Sequence, residues 1–298
     1  MQKMDVSIII ANYNTKALTK QCLQSVFEKT KEIAFEVIVV DNASQDGSQQ
    51  MLKEEFPNVQ LVENMENLGF GKANNKGIKI AQGRNLFLLN SDTILRNNAV
   101  KVLSDYLDGN PGIGVCGGNI FDQNGKPAYS FMPVFPSILW ELDILFDNWL
   151  FRLIWGKKFW FNKTGQPKDV AHITGANMMT RKAVFEEAGG FDPDFFMYME
   201  ETELMFRMKK MGHRIVSVPQ SEIIHLEGKS FTVSLDRQKR LLEGRNLFYK
   251  KTHGNFYRFT VNSIYRFKAI FQLALYAFSA PQKRGKVHLW MYKLKNIQ

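Results

Sequence analysis

The sequence predicts an open, mostly parallel α/β sheet. Two observations carry that expectation. Short, nearly continuous β-branched runs have the character of strands buried on both faces, and helical patterns fall regularly between them. Val6–Ala11 (VSIIIA) is the first run and Phe35–Val40 (FEVIVV) the second, with Leu18, Cys22, Ser25, Val26 and Lys29 at helical spacing between them. Val59–Val62 reads as a weaker third strand and Asn85–Leu89 as a fourth, with helices over about Ser48–Phe56 and Lys72–Gln82. A further helix, about Asn97–Leu107, is closed by Gly109-Asn110-Pro111-Gly112, a strong stop signal. A fifth strand follows at Ile113–Cys116, and regular α/β grammar returns from Val170–Met179 to about Pro219. In such sheets ligands bind at the carboxyl ends of the strands, so the chemistry is expected just after each strand.

The 298 residues, 45% apolar and 23% charged, suffice for one large domain or two ordinary ones and exclude wholesale disorder. Two cysteines, Cys22 and Cys116, exclude a disulfide framework or a Cys-rich zinc site and fit a reducing compartment. Val6–Ala11 is too brief for a signal-peptide core. Residues 231–298 hold 14 Lys/Arg against Asp236 and Glu243, a net of +12, so the overall charge of +10 belongs to the tail alone. Such a tail suits nucleic acid or an anionic bilayer, and composition does not choose between them.

Between about Pro127 and Lys168 the alternation breaks. Trp140, Trp149, Trp155 and Trp160 stand among six phenylalanines, with Arg152, Lys157, Lys158 and Lys163 clustered nearby. This is either a helical flap packed on the main domain or an interfacial element with aromatics at headgroup depth. In the tail, Phe259–Ala280 is interrupted by Arg266 and Lys268, leaving too short an apolar run to cross a bilayer. The expected organisation is a catalytic domain over 1–230, including the aromatic insertion, and a basic, amphipathic helical extension over 231–298.

Strand two ends in Asp41-Asn42-Ala43-Ser44-Gln45-Asp46-Gly47-Ser48. A carboxylate there can accept hydrogen bonds from a base edge or a ribose hydroxyl, whereas Asp46 and Ser48 read as turn and cap residues. Next comes Asn67-Leu68-Gly69-Phe70-Gly71-Lys72-Ala73-Asn74, whose glycines let backbone amides approach an anion at a helix N-terminus. It is no dinucleotide fingerprint, which would follow the first strand and carry Gly or Ala where Asn74 stands. Strand four runs into Asn90-Ser91-Asp92-Thr93, where a carboxylate can hold a divalent metal beside phosphate oxygens and water. Phe195-Phe196-Met197-Tyr198-Met199 leads into Glu200-Glu201-Thr202-Glu203. First-turn acids are ordinary helix-dipole features, which accounts for Glu203. Two adjacent acids after so aromatic a lead-in make a candidate general base. His225, after Ile223-Ile224, can supply a neutral nitrogen to the same metal.

Taken together, VSIIIANYN, VVDNASQDGS, NLGFGKANNKGI, LLNSDT, the GANMMTR–GGFD–FFMYMEETEL block and HLEGKS resemble glycosyltransferase family 2, and most of all its rhamnosyltransferase-like members that build bacterial O-antigen, capsule or cell-wall glycans. The resemblance covers about residues 5–250. It implies a GT-A fold, a nucleotide-diphosphate sugar as donor, a divalent metal (Mg or Mn) and inversion at the anomeric carbon. It matches Asp41 to the acid that contacts the nucleoside, with Asn12 and Asn14 lining the first-strand pocket and Asn67, Gly69 and Asn74 near the donor. Asp92 matches the last acid of the Asp-x-Asp metal motif and His225 a metal-ligating histidine. Glu201 matches the catalytic base, with Glu200 preceding it. Two departures stand out: Asn90 occupies the place of the first Asp, so metal binding rests mainly on Asp92 and His225, and Glu201 replaces an Asp, so Glu200 is the other candidate base.

The function expected is inverting sugar transfer to a hydroxyl of a glycan or lipid-linked acceptor in cell-surface polysaccharide synthesis, possible rhamnosyl transfer included. The expected setting is cytoplasmic and peripheral to the inner face of the plasma membrane, with an anionic membrane surface and no nucleic acid as partner. A nucleotidyltransferase is the alternative enzyme, but it usually needs a Gly-rich basic loop where Asn12-Tyr13-Asn14-Thr15 stands. A non-catalytic basic membrane-binding protein would explain the tail and leave the strand-end acids without a role.

Overall fold

The computed structural model describes residues 4–146, 148–156, 159–226, 235–277 and 291–295. Along the chain run β1 (Val6–Asn12), α1 (Lys16–Lys29), β2 (Phe35–Asp41), α2 (Ser48–Glu55), β3 (Gln60–Glu63), α3 (Phe70–Ile80), β4 (Asn85–Leu89), β5 (Thr93–Leu95), α4 (Ala99–Asp108) and β6 (Ile113–Phe121). Then come β7 (Pro127–Ala128), β8 (Phe131–Met132), α5 (Ile138–Leu145), α6 (Trp149–Trp155), β9 (Lys168–Asp169), β10 (His172–Ile173) and β11 (Asn177–Arg181). The chain continues with α7 (Lys182–Glu187), α8 (Glu200–Lys210), β12 (Arg214–His225), α9 (Leu235–His253) and α10 (Asn255–Ala277).

The main sheet has the order β3-β2-β1-β4-β11-β6-β12-β5, with β7 on β6 and β9 on β12; β8 and β10 pair separately. The pairs β1/β2, β1/β4, β2/β3 and β6/β12 are parallel. Strand β11 runs antiparallel between β4 and β6, and β5 antiparallel on the β12 edge. The sheet is therefore mostly parallel, as its β-branched runs predict. Strand order reverses at β1, with β2 and β3 on one side and β4 on the other, which makes the carboxyl ends of β1 and β4 a topological switch point.

Both sheet faces are covered. Ile8, Ile10, Val37 and Val39 join Cys22, Leu23 and Val26 of α1 in the core. On the other face α3 comes so close that a Cβ on Gly77 would lie 2.9 Å from methyls of Ile9 and Val40. Strand β12 runs well past Pro219, where the sequence grammar fades; its register with β6 shifts between Ser217 and Glu222, and such an irregularity is where a strand tolerates proline. Cys22 and Cys116 are fully buried free thiols. Burial pushes the Cys22 thiol up to about 12 and raises that of Cys116 as well.

By internal packing the chain forms two compact units. One comprises residues 1–134, 160–196 and 200–230, the other residues 135–159, 197–199 and 231–298. Phe135–Phe159, read above as part of the first domain, thus group with the C-terminal helices. Within this second unit the Asp143 carboxylate accepts hydrogen bonds from Leu150 N (2.8 Å) and Phe151 N (3.0 Å) at the start of α6. Buried Glu141 on α5 pairs with Arg245 of α9 at 2.8 Å and accepts from Tyr249 at 2.9 Å. Arg245 also donates to Asn262 of α10, so one satisfied polar network ties three helices. Among the described residues no helix is long and apolar enough to cross a membrane. Lys157, Lys158, Glu227–Ser230 and the stretches 278–290 and 296–298, all used in the sequence reading, lie outside the described residues.

Candidate active site

Strand register brings the first two expected residues side by side. Asn12 and Asp41 are paired last residues of β1 and β2, and Asn12 Nδ2 donates to Asp41 Oδ2 at 2.6 Å. The other Asp41 oxygen accepts from Ser44 N (2.9 Å) and Gln49 Nε2 (2.7 Å). Asn12 Oδ1 takes hydrogen bonds from Thr15 (2.6 Å) and Thr19 (2.8 Å), and Thr15 Oγ1 lies 3.0 Å from Ser91 Oγ beyond β4. A continuous polar chain therefore links the ends of three strands and presets the Asp41 carboxylate. Asn14, exposed and at φ 52°, accepts from Gln45 N at 2.7 Å and so braces two loops. Asp46 accepts from Ser48 N and Lys16 N, the turn role the sequence assigns it.

The loop before α3 is closed locally and docked at long range. Asn67 Oδ1 accepts from Gly69 N at 2.9 Å, and Phe70 N donates to Phe196 O at 3.0 Å. Asn75 holds Phe191 through both its amide atoms. Asn74 is buried and donates to Phe70 O at 2.9 Å, while its Oδ1 has no hydrogen-bond partner. These bonds bring the NLGFG loop against the aromatic lead-in to α8. Glu200, at the start of α8, is buried with Oε2 unpartnered; a Cβ on Gly71 would lie 3.8 Å from its Cβ. Glu201 is only half-buried. Burial, and then the neighbouring Glu201 charge, hold the Glu200 carboxyl well above the ordinary range; burial raises Glu201 too.

Past β4, Asn90 N donates to Ala176 O at 3.2 Å. His225 closes β12 opposite Thr93 of β5, and its Nε2 lies 3.0 Å from Asp92 Oδ1 and 3.4 Å from Asn90 Nδ2. Nε2 can donate to Asp92 or accept from Asn90, not both at once. The turn Thr174-Gly175-Ala176 joins this cluster to the acid pair: Ala176 touches Asn90, and a Cβ on Gly175 would lie 3.7 Å from Glu201 Cγ. Asn12, Asp41, Asn90, Asp92, His225 and Glu201 are thus all held at the carboxyl-end rim of one sheet.

Among the described residues no group of three or more His, Cys, Asp or Glu side chains is placed to hold a metal ion. Asp92 with His225 fits a different arrangement. A magnesium-like ion usually takes one or two protein ligands and completes its shell with phosphate oxygens and water. Ligand atoms about 2.1 Å from such an ion on adjacent octahedral corners lie about 3 Å apart, and the Nε2–Oδ1 separation is 3.0 Å.

The glycosyl transferase family 2 model matches residues 7–189, more than half of the chain. The chain belongs to that family. It is 28% identical over 214 residues to N-acetylglucosaminyl-diphospho-decaprenol L-rhamnosyltransferase of Mycobacterium tuberculosis, covering 65% of this chain and 67% of the relative. A low-salt glycan biosynthesis hexosyltransferase of Haloferax volcanii is 25% identical over 83% of this chain and 77% of its own. The mannosyltransferase of Pyrobaculum calidifontis, solved with GDP-Man and Mn2+, superposes with a TM-score of 0.60 at 17% identity, over 100% of this chain and 88% of that one. The fold is GT-A, as the strand–helix grammar and the motifs lead one to expect.

The family match ends before Glu200, Glu201 and His225, so these three residues rest on the geometry given above. Sequence reasoning passes over the residues that wire this family 2 site together: Thr15, Ser44, Gln49 and Ser91. Ser44 lies inside VVDNASQDGS and Ser91 inside LLNSDT, while Thr15 directly follows VSIIIANYN, each close to residues the sequence singles out. Gln49 carries no local signal: it stands just outside VVDNASQDGS, and its partner Asp41 is 8 residues away.

Proposed function

We propose that this protein is an inverting glycosyltransferase that moves a sugar from a nucleotide-diphosphate donor to a hydroxyl of a glycan or lipid-linked acceptor in cell-surface polysaccharide synthesis. One observation carries the reading: a preset carboxylate (Asp41), a carboxylate–imidazole pair (Asp92, His225) and an adjacent acid pair (buried Glu200, half-buried Glu201) gather at the carboxyl-end rim of one GT-A sheet. The relatives act on or bind nucleotide sugars or lipid-linked glycans by their names, which favours the same donor and acceptor classes here, rhamnosyl transfer among them.

In this reading Asp41, held in place by three hydrogen-bond donors, receives the nucleoside, with Asn12 and Asn14 fixing the loops around it. Asn67 and Gly69 shape the α3 entrance near the donor, beside Asn74 and Asn90. Asp92 and His225 would hold a divalent ion, Mg or Mn, which when bound offsets charge on the departing nucleoside diphosphate. Glu201 is the base. Its carboxylate takes the proton from the acceptor hydroxyl as that oxygen attacks the anomeric carbon and the diphosphate leaves from the opposite face. The raised affinity of Glu201 for protons suits a general base working near neutral pH.

The test is direct. A panel of UDP-, GDP- and dTDP-sugars is screened by thermal shift, and the donor found is assayed with an N-acetylglucosaminyl-diphospholipid, with and without Mn2+ or Mg2+. Glu201→Gln should lose about 10²–10⁴-fold in transfer with donor binding retained, and chelation should lower turnover in the unaltered protein. Near-normal transfer by Glu201→Gln would remove the assigned base.

The same reading includes attachment to an anionic membrane surface, bringing the site to a lipid-linked acceptor. It is supported by one face of α10. Phe256, Phe259, Phe267, Ile270 and Phe271, at helical spacing, are 51–84% exposed, with Arg266 on the same side. In α5 and α6 Leu139, Phe146, Trp149, Leu153 and Ile154 are exposed as well. Aromatic faces interleaved with arginine, next to a tail of +12, fit an interface rich in anionic headgroups.

A further inference from the structure

We infer that Gly175 is a specificity-determining residue: its missing side chain keeps open the gap between Phe70 and Glu201 through which the acceptor sugar reaches the base. This rests on the function proposed above.

Two physical reasons ordinarily demand a glycine: a left-handed backbone conformation or the lack of room for a Cβ. Gly69 has both, with φ at 79° and Phe196 O only 2.0 Å from where a Cβ would stand. Gly117 has the second, since a Cβ would fall 2.3 Å from Ile173 Cγ2. Gly175 has neither. It is absent from the left-handed residues, and its Cβ would meet the Phe70 ring at 3.5 Å and Glu201 Cγ at 3.7 Å, both ordinary van der Waals separations. An alanine would fit, and by restricting the unfolded chain it would raise stability. The fold has no use for glycine here.

The site has one. Gly175 faces the stem of Glu201 and the edge of an aromatic ring, and the next residue, Ala176, accepts the Asn90 amide at 3.2 Å. A side chain larger than methyl would project between ring and carboxylate. The opening so preserved matches an acceptor that presents an apolar C–H ring face to Phe70 and a hydroxyl to Glu201, as a pyranose does. Water, which needs no such width, is the natural control.

The experiment compares Gly175→Ala, Gly175→Val and Gly175→Leu in the full-length protein for three quantities: donor binding, donor hydrolysis by water, and transfer to the N-acetylglucosaminyl-diphospholipid. Gly175→Ala should melt at or above the unaltered protein and transfer within about threefold of it. Gly175→Leu should lose about 10²-fold in transfer, with donor binding and hydrolysis nearly unchanged and Gly175→Val in between. Adding Phe70→Leu to Gly175→Leu should recover part of the loss by withdrawing the opposite wall. If Gly175→Leu does not fold, the fall in the ratio of transfer to hydrolysis from Gly175→Ala to Gly175→Val is read instead. Normal transfer by Gly175→Val or Gly175→Leu overturns the inference, and so does an equal fall in donor binding, hydrolysis and transfer. A wild-type protein inert towards every donor would instead sink the proposed function itself.

Discussion

Glu200 and Glu201 are adjacent in sequence and unlike in surroundings. Glu200 is buried against α3 with one oxygen unpartnered, while Glu201 reaches the rim. Burial of Glu200 beside a second acid favours its protonated form, so the folded chain keeps a proton that the unfolded chain releases near pH 4.3. The stabilisation tied to that proton is fully present below the unfolded value and is lost as pH rises through the higher folded one. Glu200→Gln, neutral at every pH, escapes the loss. Its melting temperature should match the wild type near pH 4 and exceed it increasingly towards pH 8. A pH-independent difference would show that Glu200 is ionised in the fold.

At the scale of elements, the NLGFG loop shows how a motif becomes a docking device. Gly69→Ala would force a Cβ into Phe196 O at a backbone angle of 79°, strain of about 1–3 kcal/mol or more. It should lower the denaturant midpoint and weaken donor binding together; a stable variant with normal donor affinity would contradict the docking role. The same scale explains what was legible in the sequence. β1, β2 and β4 announce themselves because parallel strands buried on both faces must be apolar at nearly every position. β11 reads Asn-Met-Met-Thr-Arg, and β5 has three residues; neither offers periodicity, and both exist because a neighbouring strand supplies their hydrogen bonds. The placement of Asp41, Asp92 and Glu201 at strand ends and a helix start was legible because such positions advertise themselves. The Thr15–Ser91 link and Gly175 were not, since their meaning depends on which side chain lies opposite across the fold.

At the scale of the whole molecule, charge and apolar exposure are unevenly distributed: the first 230 residues are nearly neutral, and the last 68 carry +12. Attachment driven by both features should depend on lipid and on salt. Flotation with vesicles containing phosphatidylglycerol should carry the protein at low ionic strength and release much of it at about 0.5 M salt, where screening shortens the reach of each charge. Phosphatidylcholine vesicles should bind far less. Phe259→Ser with Phe267→Ser should weaken binding by about tenfold or more and leave hydrolysis of a soluble donor unchanged. No flotation at any salt would discard the attachment, and a concentration-dependent dimer abolished by the same two changes would assign the α10 face to a second copy.

The two sealed thiols have a practical use. Cys22 lies on the buried face of α1 and Cys116 in β6, and a thiol so shielded reacts only when its surroundings come apart. A colorimetric maleimide or disulfide reagent added to the folded protein thus becomes a clock for rare openings of the sheet. Where reclosing outruns the chemistry, the rate relative to a free thiol reads the opening equilibrium directly, with no label to engineer and no denaturant to extrapolate from.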